Sequence, residues 1–96
     1  MMLETGPRFV PDQVTAKAGT VAFFIQNVRP SLFMAQDHNM AIGPEIHKVL
    51  ARSPFVRVDK AAVLTVEGLT PGTYTFWCEI GVHAAEGMVG TLTITP

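Results

Sequence analysis

Apolar and polar positions alternate with period two along most of the chain, the spacing of strands that bury one face. After Gly19, the residues Val21, Phe23 and Ile25 alternate with Ala22, Phe24 and Gln26. Further on, Val63 and Thr65 alternate with Leu64 and Val66, and Glu67-Gly68 closes that run. Pro71-Gly72 marks a turn, since proline presets the first turn angle and glycine accepts a positive φ. The strand it launches, Thr73 to Cys78, places Tyr74, Phe76 and Cys78 on one face and Thr73, Thr75 and Trp77 on the other. In the last run Met88, Gly90, Leu92 and Ile94 share a side, opposite Thr91 and Thr93.

One stretch departs from period two. In PEIHKVLARS the residues Ile46, Val49 and Leu50 recur at helical spacing, Pro44 suits a first helical position, and Pro54 follows the end. This predicts a short helix from about Pro44 to Arg52. Short strands parted by Gly/Pro turns, with one brief helix in a crossover, predict an all-β Greek-key β-sandwich. No repeat, low-complexity segment or linker interrupts the 96 residues, so a single domain spanning 1–96 is expected.

Composition narrows the function classes. An apolar fraction of 48% and a charged fraction of 16% suit a compact core. Seven Lys and Arg against eight acidic residues, a formal net charge of -1, offer no cationic surplus for a polyanion, so nucleic acid is not an expected partner. No run of eighteen apolar residues provides a membrane span. The opening MMLETGPRFVPDQ lacks the charged-then-apolar order of a signal peptide. The expectation is therefore that an export signal has been removed or that the sequence is a domain of a longer protein.

The single cysteine, Cys78, cannot form an intrachain disulfide. A lone thiol is a small buried hydrophobe, a nucleophile or a metal ligand. Its neighbours favour the third. The segment CEIGVHAAEGM holds Cys78, His83 and Met88 within eleven residues. Thiolate, imidazole and thioether together favour copper, because soft sulfur stabilises Cu(I) while imidazole suits both oxidation states. A trigonal His₂Cys set with a distant axial Met needs a second histidine, and His38 in QDHNMAI is the leading candidate. There His38, Met40 and Ile42 would share one face and Asn39 the other.

The pattern His-Asn, then Y-x-F-x-C-x4-H-x4-M-x-G about forty residues on, resembles the cupredoxins. FVPDQVTAKAGTVAFFIQN resembles the family's opening strand pair and GMVGTLTI its closing strand. The resemblance implies one copper ion cycling between Cu(II) and Cu(I), with His38, Cys78 and His83 equatorial and Met88 axial. It also implies that Asn39 ties the two ligand loops together by hydrogen bonds, and that the protein works in the periplasm or outside the cell. Many relatives carry Pro-Gly before the second histidine, where this chain has Gly81-Val82.

Each residue also has a plainer role. Cys78 could be a buried structural thiol, His38 a satisfied core histidine and Met88 a core plug. Met34 and Met40 are read as hydrophobic filler and His47 as a solvated side chain. Trp77, turned away from the metal face, is either packing beneath the crossover or an aromatic step for electrons. Ile80, Val82, Ala84 and Ala85 form an apolar collar around His83, the expected docking edge for transient redox partners. The resulting expectation is a monomeric electron carrier, not an enzyme. Alternatives are a type 1 copper domain severed from a multicopper oxidase or reductase, a copper-delivery protein, and a redox-silent module of the same fold.

Overall fold

The computed structural model describes residues 9–27, 37–57, 59–80 and 87–96, and all that follows concerns these. Seven strands are present among them: β1 Gln13–Lys17, β2 Gly19–Gln26, β3 Ala41–Gly43, β4 Ala51–Arg52, β5 Ala61–Leu69, β6 Gly72–Trp77 and β7 Val89–Thr95. Five build one sheet in the order β1-β7-β6-β3-β4, and β2 pairs with β5 in a second. β1 runs parallel to β7, while the other pairings are antiparallel.

The core lies between the two sheets. Met40, Ile42, Phe76, Leu92 and Ile94 contribute from the larger sheet side, and Leu64, Val66 and Leu69 from β5. Val21, Phe23 and Ile25 of β2 pack against this cluster, as their alternation predicts, while Phe24 and Val63 face outward as a cross-strand pair. Met40 is core filler, as expected. The turn between β5 and β6 carries Gly72 at φ 148°, a conformation that disfavours a side chain. Tyr74 straps this turn, its hydroxyl donating to the Thr70 carbonyl at 2.9 Å and accepting from the Thr70 amide at 3.2 Å.

The helix expected over Pro44 to Arg52 is absent, and no helix occurs among the described residues. Its apolar stripe finds no burying surface among the described residues: Ile46, Val49 and Leu50 are 37%, 37% and 58% exposed. A hairpin takes its place. The Lys48 amide donates to the Glu45 carbonyl at 3.0 Å, and His47 adopts a left-handed φ of 71° that a helix would not accept. The Leu50 amide then reaches the Ile42 carbonyl at 2.7 Å, and Ala51–Arg52 pair with β3. The Lys48 carbonyl occupies the space where a Cβ on Gly43 would stand, so the turn closes over a position only glycine fits.

Trp77 is buried on the face opposite the core cluster, and the exposed His47 ring meets it edge-on at 6.2 Å between centroids. A turn, in place of the expected helix, is thus the neighbour of Trp77 on this face.

Candidate metal centre

Backbone pairings position three of the candidate ligands, Cys78, Met88 and His38. β6 delivers Cys78 one residue past its end, where the Cys78 amide donates to the Met88 carbonyl at 3.2 Å just before β7 begins. Met88 and Cys78 are therefore neighbours because β6 and β7 pair, from Gly72 opposite Ile94 to Trp77 opposite Val89. Both side chains are buried.

His38 arrives from the other side. Its amide donates to the Val56 carbonyl at 3.1 Å, and its carbonyl accepts from the Val56 amide at 2.6 Å. The buried Asn27 side chain donates to the same Val56 carbonyl at 2.8 Å. Two residues on, the Met40 amide donates to the Ser53 hydroxyl at 3.0 Å. This half-buried histidine turns its Nδ1 toward the Cys78 Sγ, 4.0 Å away.

That separation is long for a hydrogen bond even to sulfur. It is close to the ~3.5–3.8 Å expected of nitrogen and sulfur donors bound to one ion at about 2.0 and 2.3 Å. The donor types present, an imidazole facing a thiol and a buried methionine whose backbone adjoins that of Cys78, fit a soft or borderline first-row metal. No group of three or more His, Cys, Asp or Glu gathers among the described residues. His83, with Val82, Ala84 and Ala85 of its collar and Gly81, lies outside the described residues, as does Met34.

Asn39 does what the resemblance implies and more. Fully buried, its Oδ1 accepts from the Glu79 amide at 2.7 Å, and its Nδ2 donates to Glu79 Oε1 at 2.9 Å. Arg52 grips the same carboxylate from β4, Nε to Oε1 at 2.9 Å and Nη2 to Oε2 at 3.1 Å. Neither Arg52 nor Glu79 stood out in the sequence, nor did Asn27 or Ser53. Each contacts a residue distant along the chain, and no local period marks such partners.

Hydrogen bonding from Arg52 holds the Glu79 carboxyl below its ordinary value, against the upward pull of partial burial and with help from Asn39. A depressed carboxyl contributes stability that is complete above its unfolded value and is lost as pH falls through the folded one. The metal-free protein is therefore expected to lose thermal stability on acidification below about pH 4.5. Glu79→Gln should flatten that part of the Tm-versus-pH curve.

Comparison with known proteins now identifies the architecture. The family described as copper binding proteins, plastocyanin/azurin family, matches residues 4–95. The chain belongs to this family. Auracyanin-B of Chloroflexus aurantiacus is 32% identical over 85 residues, a match covering 88% of this chain but only 32% of that protein's length. A solved auracyanin B structure superposes with a TM-score of 0.79 at 22% identity, covering 93% of this chain and 81% of the other. The oxidised form of plastocyanin from Dryopteris crassirhizoma does so at 0.64 with 25% identity, covering 92% and 88%. The metal of this cupredoxin is copper, and the fold class expected from alternation is the β-sandwich of its relatives.

No helix among the described residues is long and apolar enough to cross a membrane.

Proposed function

We propose that the protein is a small blue-copper electron carrier holding one copper ion through His38, Cys78, His83 and Met88. The observation that carries this reading is the approach of His38 Nδ1 to Cys78 Sγ at 4.0 Å, with the Met88 carbonyl hydrogen-bonded to the Cys78 amide. Bound copper supplies a one-electron couple between Cu(II) and Cu(I). The chain's own part is to hold the donors still. Cys78 and Met88 sit at the ends of paired strands, and His38 is clasped by Val56, so the donor positions change little between oxidation states. Burial of Cys78 and Met88 excludes water from the sulfur side.

His83 would be the remaining donor, and electrons would enter and leave through its edge. Transient redox partner proteins dock there over Ile80, Val82, Ala84 and Ala85, a collar whose apolar character supports brief contact rather than charge steering. The chain acts as a monomeric carrier with no substrate and hence is not an enzyme. The periplasm or the extracellular space suits a copper site with an oxidisable thiolate. The chain spans about a third of the curated relative's length, which keeps a copper domain within a larger protein as the second reading.

Titration of Cu(II) into the reduced metal-free protein tests the proposal. An intense visible thiolate-to-copper band and a reversible one-electron wave are expected. A pale complex, or metal shed on reduction, would instead favour delivery. Met88→Leu should keep the colour and raise the potential, because losing the thioether donor would disfavour Cu(II). An unmoved potential would remove Met88 from the ligand set.

A further inference from the structure

The Asn39 amide is fully buried, yet both of its polar ends are spent on one residue, Glu79, through its backbone amide and its carboxylate. The Glu79 carboxylate serves the amide through Oε1 at 2.9 Å. An aliphatic or very short side chain at position 79 would leave Asn39 Nδ2 without its acceptor in the protein interior, an expensive arrangement. Something must hold that contact. Arg52 does so from the solvent side with a two-pronged grip, Nε on Oε1 and Nη2 on Oε2, so that the carboxylate oxygen facing Asn39 cannot rotate away.

The three residues close a ring through the backbone. Arg52 pairs with Ala41 across β3 and β4, Ala41 stands two residues from Asn39, and Asn39 follows His38. Glu79 follows Cys78, whose own amide is held by Met88. Displacement of any one member moves the histidine-bearing segment against the cysteine-bearing one.

We propose that Arg52 and Glu79 are positioning residues for the metal: their ion pair locks the Asn39–Glu79 clasp and so sets the separation of the His38 and Cys78 donors. The inference rests on the copper reading of the site. The bland alternative is a surface ion pair, since the Arg52 side chain is 58% exposed and such pairs commonly contribute little. The two differ in what they predict. A surface pair acts only through charge, so lysine at position 52 would serve as well as arginine. A clasp needs the planar fork, which lysine lacks.

The test uses three proteins: wild type, Arg52→Met and Arg52→Lys. Arg52 lies on the surface, so both variants should fold, which circular dichroism checks. In the metal-free state, alkylation of the Cys78 thiol by iodoacetamide reports how often the clasp opens. Arg52→Met is expected to speed alkylation about tenfold, as loss of charge-assisted hydrogen bonds from the closed state requires, with Arg52→Lys between the two. In the Cu(II)-loaded state the thiolate-to-copper band should shift and broaden in the methionine variant and recover only partly with lysine.

Equal alkylation rates in wild type and Arg52→Met would overturn the proposal. So would a lysine variant matching wild type in both readouts, because charge alone would then suffice. If wild type binds Cu(II) without the intense band, the copper reading fails, and the thiol rates alone then decide the clasp.

Discussion

Replacing Cys78 with serine is expected to abolish the intense visible band of the copper-loaded protein and to leave a pale, weakly held metal. The band belongs to charge transfer from a thiolate, and an alcohol oxygen is a hard, poorly ionised donor that copper does not bind in the same way. Cys78 is the chain's single cysteine, so no second sulfur can replace it. Its Sγ faces His38 Nδ1 at 4.0 Å, and its burial means a hydroxyl there must find a partner or carry a desolvation cost of about 1–3 kcal/mol. The metal-free variant should therefore unfold at lower temperature than wild type as well. Cys78→Ala separates the two effects, because it removes the ligand without burying a new hydroxyl. If either variant retained the band, Cys78 would be a structural thiol and the site would have to be sought elsewhere.

A second large effect is expected on stability. Gly90 stands opposite Phe76 in the β6–β7 pairing, and a Cβ there would overlap the end of the Phe76 ring. On its other flank the Asp12 carbonyl would lie at 2.8 Å, and that oxygen is already engaged by the Thr91 amide. The ring cannot simply step aside, because it is buried and packs edge-on against Phe9 at 5.1 Å. Gly90→Ala should thus cost about 1–3 kcal/mol by overpacking. In a domain of this size that corresponds to a fall in Tm of roughly 5–20 °C. Trimming the ring relieves the conflict, so Gly90→Ala combined with Phe76→Leu should lose clearly less than the two single changes added together. Strict additivity would show that the ring and residue 90 do not compete for the same space. Because Gly90 lies two residues from Met88, copper spectra of the folded variant would also report whether strain in β7 reaches the site.

Much of this architecture was legible in the chain because strand periodicity is a local property. Each of β2, β5, β6 and β7 groups its residues two apart, and the structure gathers Phe23 with Val21 and Ile25, Leu64 with Val66, Phe76 with Tyr74, and Leu92 with Ile94, the sharing that alternation predicts. The candidate site was legible for a related reason. Cys78, His83 and Met88 lie in one short segment, and their donor chemistry is written in residue type alone. His38 was reached through the His-Asn resemblance, and the structure sets it beside Cys78.

Tertiary structure decided the remainder. The spacing of Ile46, Val49 and Leu50 fits a helix as well as it fits anything, yet helical spacing stabilises a helix only if a neighbouring surface receives the apolar stripe. None among the described residues does, and the backbone groups of Leu50 to Arg52 pair with β3 instead. The clasp of Arg52, Glu79 and Asn39 could not be read beforehand either, because its members are 13, 27 and 40 positions apart and meet only when β3, β4 and β6 align. The sequence by itself determined which faces are buried and which donors are available for copper. Only the tertiary structure decided how those donors are held, since that depends on hydrogen bonds between segments that no short-range pattern encodes.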